Sequence, residues 1–256
     1  MIKDTELRAI AVKYKVRLSI VERDYAQNWL LKNLSEINMA LKGGTGLRKV
    51  YFKDYRFSDD LDFTLLEDIG EKALTKKINN AIKKAKDKSG INFIGINGLV
   101  RTNTGYKFKV GFVMSQTMNI QLDITTFNNE KVVLPVFQRE INHIFSDNFS
   151  GTVKIYDIRE ILIEKIRAVF QRGFPRDLYD VWHLLKNGVK VDNVLLDEKF
   201  KYKGIKIDIF QLEGEKEKIR NIWFTSLKDL ISPVPDFNMV FDKVLEELQK
   251  YESKRY

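Results

Sequence analysis

The sequence predicts an α+β chain: an N-terminal domain with helices and a mixed β-sheet, followed by a helical C-terminal domain. Three observations predict it. Residues 60–66 and 119–126 alternate polar and apolar side chains, as strands do when one face lies on a core and the other is open. Between them, residues 71–88 carry Leu74, Ile78, Ala81, Ile82 and Ala85 at helical spacing, with Gly90 as a stop. Beyond about residue 155 the apolar spacing is helical throughout, so the domains are placed at 1–155 and 156–256.

The other elements follow in chain order. Residues 20–34 read as a helix with Trp29 and Leu30 near its buried side. The apolar run 37–41 stops at Gly43-Gly44, as a strand ending in a turn does, and Leu47, Val50 and Tyr51 are spaced for a short helix after it. Residues 91–100 and 106–114 read as further strands. Helices are predicted at 157–171, 177–187, 216–230 and 237–251, punctuated by Pro175, Pro233 and Pro235.

Composition narrows the chemistry. Of 256 residues, 44% are hydrophobic and 31% charged, which describes a folded chain rather than a disordered one. The absence of cysteine excludes disulfides and thiolate metal sites. With His143 and His183 as the only histidines, a metal would be bound mainly by oxygen, which points to Mg²⁺, Mn²⁺ or Ca²⁺. The N-terminal segment is charged throughout, without the apolar core of a signal peptide. No run approaches the roughly 20 apolar residues that span a bilayer. A soluble, cytoplasmic protein without membrane association is expected. The net charge of +9 suits a polyanionic partner, and equally a lysine-rich surface kept for solubility.

Five groups of residues carry chemistry. Asp60 and Asp62 leave the same face of a strand, about 6.6 Å apart along the chain. Like charges so placed repel unless a cation neutralises them. Asp123 sits mid-way along another polar-faced strand, and three convergent carboxylates suit a two-metal site bridging substrate phosphates. Two solvated aspartates at a sheet edge would give the same Asp-x-Asp pattern. Gly43-Gly44-Thr45, between a strand and a helix start, fits a phosphate-binding turn and fits an ordinary tight turn as well. Lys49, about one helical turn on, is placed to reach a phosphate.

Lys165 lies inside the apolar stripe of Ile158, Ile161, Leu162, Ala168 and Val169, where a lysine either snorkels outward or meets an anion. Asp177 and Asp180 follow one turn apart. After Pro175, acids in a first helical turn favour a capping role on pattern alone.

Taken together, these segments resemble the AbiEii/AbiGii family of nucleotidyltransferase-like abortive-infection toxins, distant relatives of the DNA polymerase β-type nucleotidyltransferases. The likeness runs through VERDYAQNWLLKNL, LKGGTGLRKVYFKDYRFSDDLDFTL, LDITT, EKIRAVFQRGFPRDLYDVWHL and IWFTSLKDLISPVPDF, in order and over nearly the whole chain. The resemblance implies a nucleotidyltransferase-like sheet domain whose helical C-terminal domain completes the cleft. It places the family's glycine motif on Gly43, Gly44 and Thr45, with the following lysine on Lys49. The acidic pair falls on Asp60 and Asp62, and the third sheet carboxylate on Asp123. The helical lysine falls on Lys165, and the Arg-Asp-x-x-Asp segment on Arg176, Asp177 and Asp180. Asp60, Asp62 and Asp123 would hold Mg²⁺ or Mn²⁺.

Gly43, Gly44, Thr45, Lys49, Lys165, Arg176 and Asp177 would bind nucleotide, with Lys165 and Asp180 also catalytic. The implied reaction transfers a nucleoside monophosphate from a nucleoside triphosphate to an acceptor hydroxyl, expected at the 3′ end of tRNA. A cognate antitoxin is the implied partner. The alternatives are an inactive nucleotide- or RNA-binding module on the same fold, and a protein-modifying nucleotidyltransferase.

Overall fold

A computed structural model describes residues 2–252. The chain divides into two compact units, Met1–Tyr156 and Asp157–Tyr256.

The first unit opens with two helices, α1 (Asp4–Tyr14) and α2 (Leu18–Leu34). Strand β1 (Met39–Lys42) runs into a short helix α3 (Gly43–Gly46), which continues as a wider π-helical turn over Leu47–Tyr51. There follow β2 (Asp60–Leu65), α4 (Glu71–Ser89), β3 (Asn92–Thr102), β4 (Gly105–Val113) and β5 (Thr117–Thr125). Two short strands, β6 (Phe137–Glu140) and β7 (Thr152–Ile155), complete the unit.

Among the described residues the strands form one mixed seven-stranded sheet in the order β3-β4-β5-β2-β1-β7-β6. At its centre β2 runs parallel to β5 and antiparallel to β1. One face supplies Leu61, Phe63, Phe108, Val110, Ile120, Leu122 and Ile124 to the core, all 2% exposed or less. Burying a side chain of this size is worth about 1.5–3 kcal/mol. The face is therefore held in register, because a slip of one residue would turn the buried set to water. The same alternation sets Asp60, Asp62, Gln121 and Asp123 on the opposite, half-exposed side.

Helix α4 buries Leu74, Ile78, Ala81, Ile82 and Ala85, the stripe read from its sequence, and ends at Gly90 in the left-handed conformation. Its lysines face outward: Lys84 meets Glu36 and Lys86 meets the Asn92 side chain.

The second unit is helical: α5 (Ile158–Arg172), α6 (Pro175–Lys186), α7 (Asn193–Lys203), α8 (Ile209–Gly214), α9 (Lys216–Leu227) and α10 (Phe237–Glu252). Ile161, Leu162, Ile166, Val181, Leu227, Val240 and Val244 are among its core, each 1% exposed or less. No helix among the described residues is long and apolar enough to cross a membrane.

Candidate active site

The parallel pairing of β2 with β5 sets Asp62 opposite Asp123 and Asp60 opposite Gln121. Neighbouring strands lie about 4.8 Å apart, so three carboxylate-bearing positions occupy one small area of one sheet face. On the far side of β5, strand β4 sets Lys107 opposite Asp123 and Lys109 opposite Gln121. Lys107 donates to Asp123 at 3.0 Å, and the Gln121 amide donates to the same carboxylate at 3.2 and 3.3 Å. Asp123 is thereby turned toward β4. Among the described residues no three Asp, Glu or His side chains close on one point as metal ligands do. Asp60, Asp62 and Asp123 are thus brought to one face but not to one centre.

The glycine turn stands on the other flank of β2. Gly43 has φ +67°, and a Cβ there would run into the Asp62 carboxylate. A Cβ on Gly44 would meet an Arg56 guanidinium nitrogen at 2.7 Å and the Ser58 hydroxyl at 3.2 Å. Glycine is needed at both places for close approach, and at the first also for the left-handed backbone. The turn therefore sits directly against one of the carboxylates. Arg56, which the sequence reading passed over, is 3% exposed and donates to the Phe57 carbonyl at 3.0 Å. Gly43→Ala is expected to cost about 1–2 kcal/mol from the left-handed backbone alone and to displace Asp62. Denaturant unfolding and turnover measured on the same preparation check this, and unchanged turnover would detach the turn from the site.

Thr45 and Lys49 take other partners than phosphate. The fully buried Thr45 hydroxyl donates to the Asp60 main-chain carbonyl, tying the turn to the start of β2. Lys49, 1% exposed, places its ammonium 2.8 Å from the Asp24 carbonyl and 2.7 Å from its carboxylate. Arg48 meets the same carboxylate at 2.6 Å and lies 3.6 Å above the Phe57 ring. Lys49 therefore belongs to an internal ion cluster with Asp24 and Arg48. Its partner on α2 is 25 positions back in sequence, out of reach of any local pattern.

Electrostatics in this cluster are strong. Burial works to raise the Asp24 carboxyl, but Arg48 and Lys49 outweigh it and hold it down at about 2. Burial brings Lys49 down to about 8 despite Asp24. A carboxyl lowered in the folded state contributes stability above its unfolded value of 3.8, lost as pH falls toward 2. The denaturant midpoint is expected to drop through that window, and to drop less steeply in Asp24→Asn, which starts from lower stability. Equal slopes in the two proteins would show that Asp24 is not the group responsible.

The second unit gathers Lys165, Asp177 and Asp180 in one buried cluster. Lys165, 9% exposed, lies 2.9 Å from Asp177 and 2.8 Å from Asp180, which are 1% and 0% exposed. Arg172 adds two contacts to Asp177, at 2.7 and 3.0 Å. Burial opposes the charge on Asp177, and Lys165 and Arg172 overcome it, so its carboxyl is held below the ordinary value. The capping role suggested by pattern does not hold: the N-cap of α6 is Phe174, with no side-chain cap. Asp177 and Asp180 instead face α5 and neutralise Lys165. Arg176, immediately before Asp177 in sequence, is half-buried.

A putative nucleotidyltransferase from H. pylori is 20% identical, with a TM-score of 0.62 over 92% of this chain and 96% of that one. JHP933 from Helicobacter pylori is 21% identical, with a TM-score of 0.60 over 94% and 96%. MenT4, a nucleotidyltransferase toxin from Mycobacterium tuberculosis H37Rv, is 18% identical, with a TM-score of 0.65 over 97% and 90%. At these identities the likeness establishes the nucleotidyltransferase fold. No curated protein sequence matches the chain significantly. The model of the nucleotidyl transferase AbiEii toxin family, of type IV toxin–antitoxin systems, matches residues 27–247, a span holding the glycine turn, the three sheet aspartates and the Lys165 cluster. The chain belongs to the AbiEii family of nucleotidyltransferase toxins.

Proposed function

We propose that the protein transfers a nucleoside monophosphate from a nucleoside triphosphate to an acceptor hydroxyl, and that the acceptor is the 3′ end of tRNA. The observation that carries this reading is the register of β2: Asp60 and Asp62 share a face with Asp123, and Asp62 lies against the Gly43 turn. The family supports nucleotidyl transfer and a toxin's role. The net charge of +9 supports an RNA acceptor, and type IV membership supports a cognate antitoxin as partner.

The donor set at the site is carboxylate oxygen alone, which suits Mg²⁺, or Mn²⁺, in its chemistry. Asp60 and Asp62 would hold the ion, joined by Asp123 once its carboxylate leaves Lys107. An ion held there would supply charge neutralisation of the triphosphate and polarisation of the reacting phosphorus. The backbone N–H groups at Gly43 and Gly44 would receive a phosphate oxygen. The acceptor oxygen forms a bond to the α-phosphorus while the bond from that phosphorus to the β-bridging oxygen breaks. Pyrophosphate departs with the electron pair, and the hydroxyl proton passes to the Asp60 carboxylate and on to water. The protein's part is positioning and charge stabilisation, with no covalent enzyme intermediate. Lys165 touches a phosphate in this scheme only by exchanging Asp177 or Asp180 for it; otherwise it positions α6 against α5.

One observation favours a second reading, a binding module without turnover. The Lys107–Asp123 ion pair already supplies a cation to one of the three carboxylates. Incubation with each labelled triphosphate, Mg²⁺ and total RNA separates the readings. Label in RNA with release of pyrophosphate supports transfer, label on protein supports protein modification, and bound but unconverted triphosphate supports the module.

A further inference from the structure

Beside the carboxylates lies a depression of about 270 Å³ lined by Arg23, Asp59, Asp60, Lys109, Asn119 and Gln121. Its charge pattern differs from the rest of the face. Lys107 is paired with Asp123, whereas Lys109, two residues on and on the same side of β4, has no hydrogen-bond or ion-pair partner among the described residues. Arg23 reaches in from α2, anchored on Asp59 through one terminal nitrogen, while its buried Nε has no hydrogen-bond partner. Asn119 and Gln121 project two amides from β5 on one side, Asn119 joined to Asn97 at 2.6 Å. Two cationic donors, two amides and the Asp59 and Asp60 carboxylates converge on a space just under the ~300–1,000 Å³ of typical small-ligand sites. It has room for one nucleotide unit.

Its position across the sheet is the second observation. Along the order β1-β2-β5-β4 the face presents the Gly43 turn, then Asp62 and Asp60, then Gln121 and Asn119, then Lys109. Asp62 leans on the glycine turn and Asp60 lines the depression. In phosphoryl transfer the attacking and leaving oxygens lie on opposite sides of the phosphorus. With the departing pyrophosphate at the glycine turn, the attacking hydroxyl must arrive from the β5 and β4 side.

We propose that this depression is the acceptor subsite, receiving the terminal nucleotide of an RNA strand with its phosphodiester between Lys109 and Arg23. Asn119 and Gln121 then meet the ribose or base edge, and the terminal hydroxyl falls beside Asp60. This rests on the transfer reading above for its orientation, but the RNA contact itself does not.

The test uses the full chain, bulk tRNA and a thermal melt with triphosphate and Mg²⁺. Lys109→Met keeps the stem and removes the charge, and Lys53→Met, an exposed lysine outside the depression, serves as an equal-charge control. Lys109→Met is expected to weaken tRNA binding by roughly 3- to 10-fold and to make its salt slope shallower by about 0.7–0.9. The triphosphate-induced rise in melting temperature should remain that of wild type. A diminished nucleotide shift would overturn the proposal by giving the depression to the triphosphate. A tRNA affinity equal to that of Lys53→Met would overturn it as well. If wild type converts no triphosphate while Lys109→Met still loses tRNA affinity and salt slope, the RNA subsite stands and the transfer reading fails.

Discussion

Replacing Asp60 and Asp62 together by asparagine is expected to lower nucleotidyl transfer on the order of 10³-fold or more, because both charges that would hold the metal and steady the triphosphate are gone. Stability should hardly move. Both side chains are half-exposed on the open face of β2, and their neighbours Leu61 and Phe63, which anchor the strand, are untouched. Asparagine keeps the volume, so the close approach of residue 62 to Gly43 survives. The comparison is turnover against melting temperature for the single and double variants. Transfer at the wild-type rate by a folded double variant would remove the carboxylates from the chemistry. Transfer lost together with the fold would show them to be structural.

Lys165→Met carries the largest stability effect. From sequence alone this substitution looks harmless, since methionine fits an apolar stripe and an unpaired buried ammonium is costly. The structure reverses that expectation. Lys165 is what neutralises Asp177 and Asp180, both essentially without solvent. Removing one side of a buried ion pair strands the other and typically costs about 3–5 kcal/mol. Arg172 still reaches Asp177 and offsets part of that loss. Asp180→Asn in the Lys165→Met background should recover part of the loss, giving a non-additive double-mutant cycle of about 0.5–3 kcal/mol. Wild-type unfolding by Lys165→Met, or strict additivity, would contradict the cluster.

These two cases show where sequence was informative. Alternation at Asp60–Leu65 and Thr117–Thr125 exposes both the strands and the carboxylate face, because a period of two assigns buried and open sides without further information. Helix α4 is equally plain, since its apolar stripe is unbroken. Strands β6 and β7, four residues each, are too short to display a period, and both escape. Helix α7 escapes for a different reason. Its buried face contains Lys199, fully enclosed with Glu160 at 2.9 Å and Glu164 at 2.8 Å, so a charge stands where the pattern would need an apolar residue.

Partner choice was the least legible property. Lys49 has the spacing of a phosphate ligand and the environment of a core ion pair. Asp177 has the sequence setting of a capping residue, yet it closes on a lysine twelve positions earlier. In both, burial and a distant opposite charge decide the role, and neither is written in the local pattern. Arg23, Arg56 and Lys109 have no signature in sequence, because single basic residues in a chain of 44 lysines and arginines carry no signal until the fold brings Arg23 and Lys109 beside Asp60 and Arg56 beside Gly44.

We infer metal-dependent transfer to RNA at the face built by β2 and β5. Its most direct measurement is incorporation of α-labelled nucleoside triphosphate into bulk tRNA, with and without Mg²⁺, by wild type and by the Asp60→Asn, Asp62→Asn protein. Label at the RNA 3′ end is expected with wild type and Mg²⁺, and none when the metal or the two carboxylates are removed. Equal incorporation by the double variant, or no incorporation from any of the four triphosphates, would contradict it.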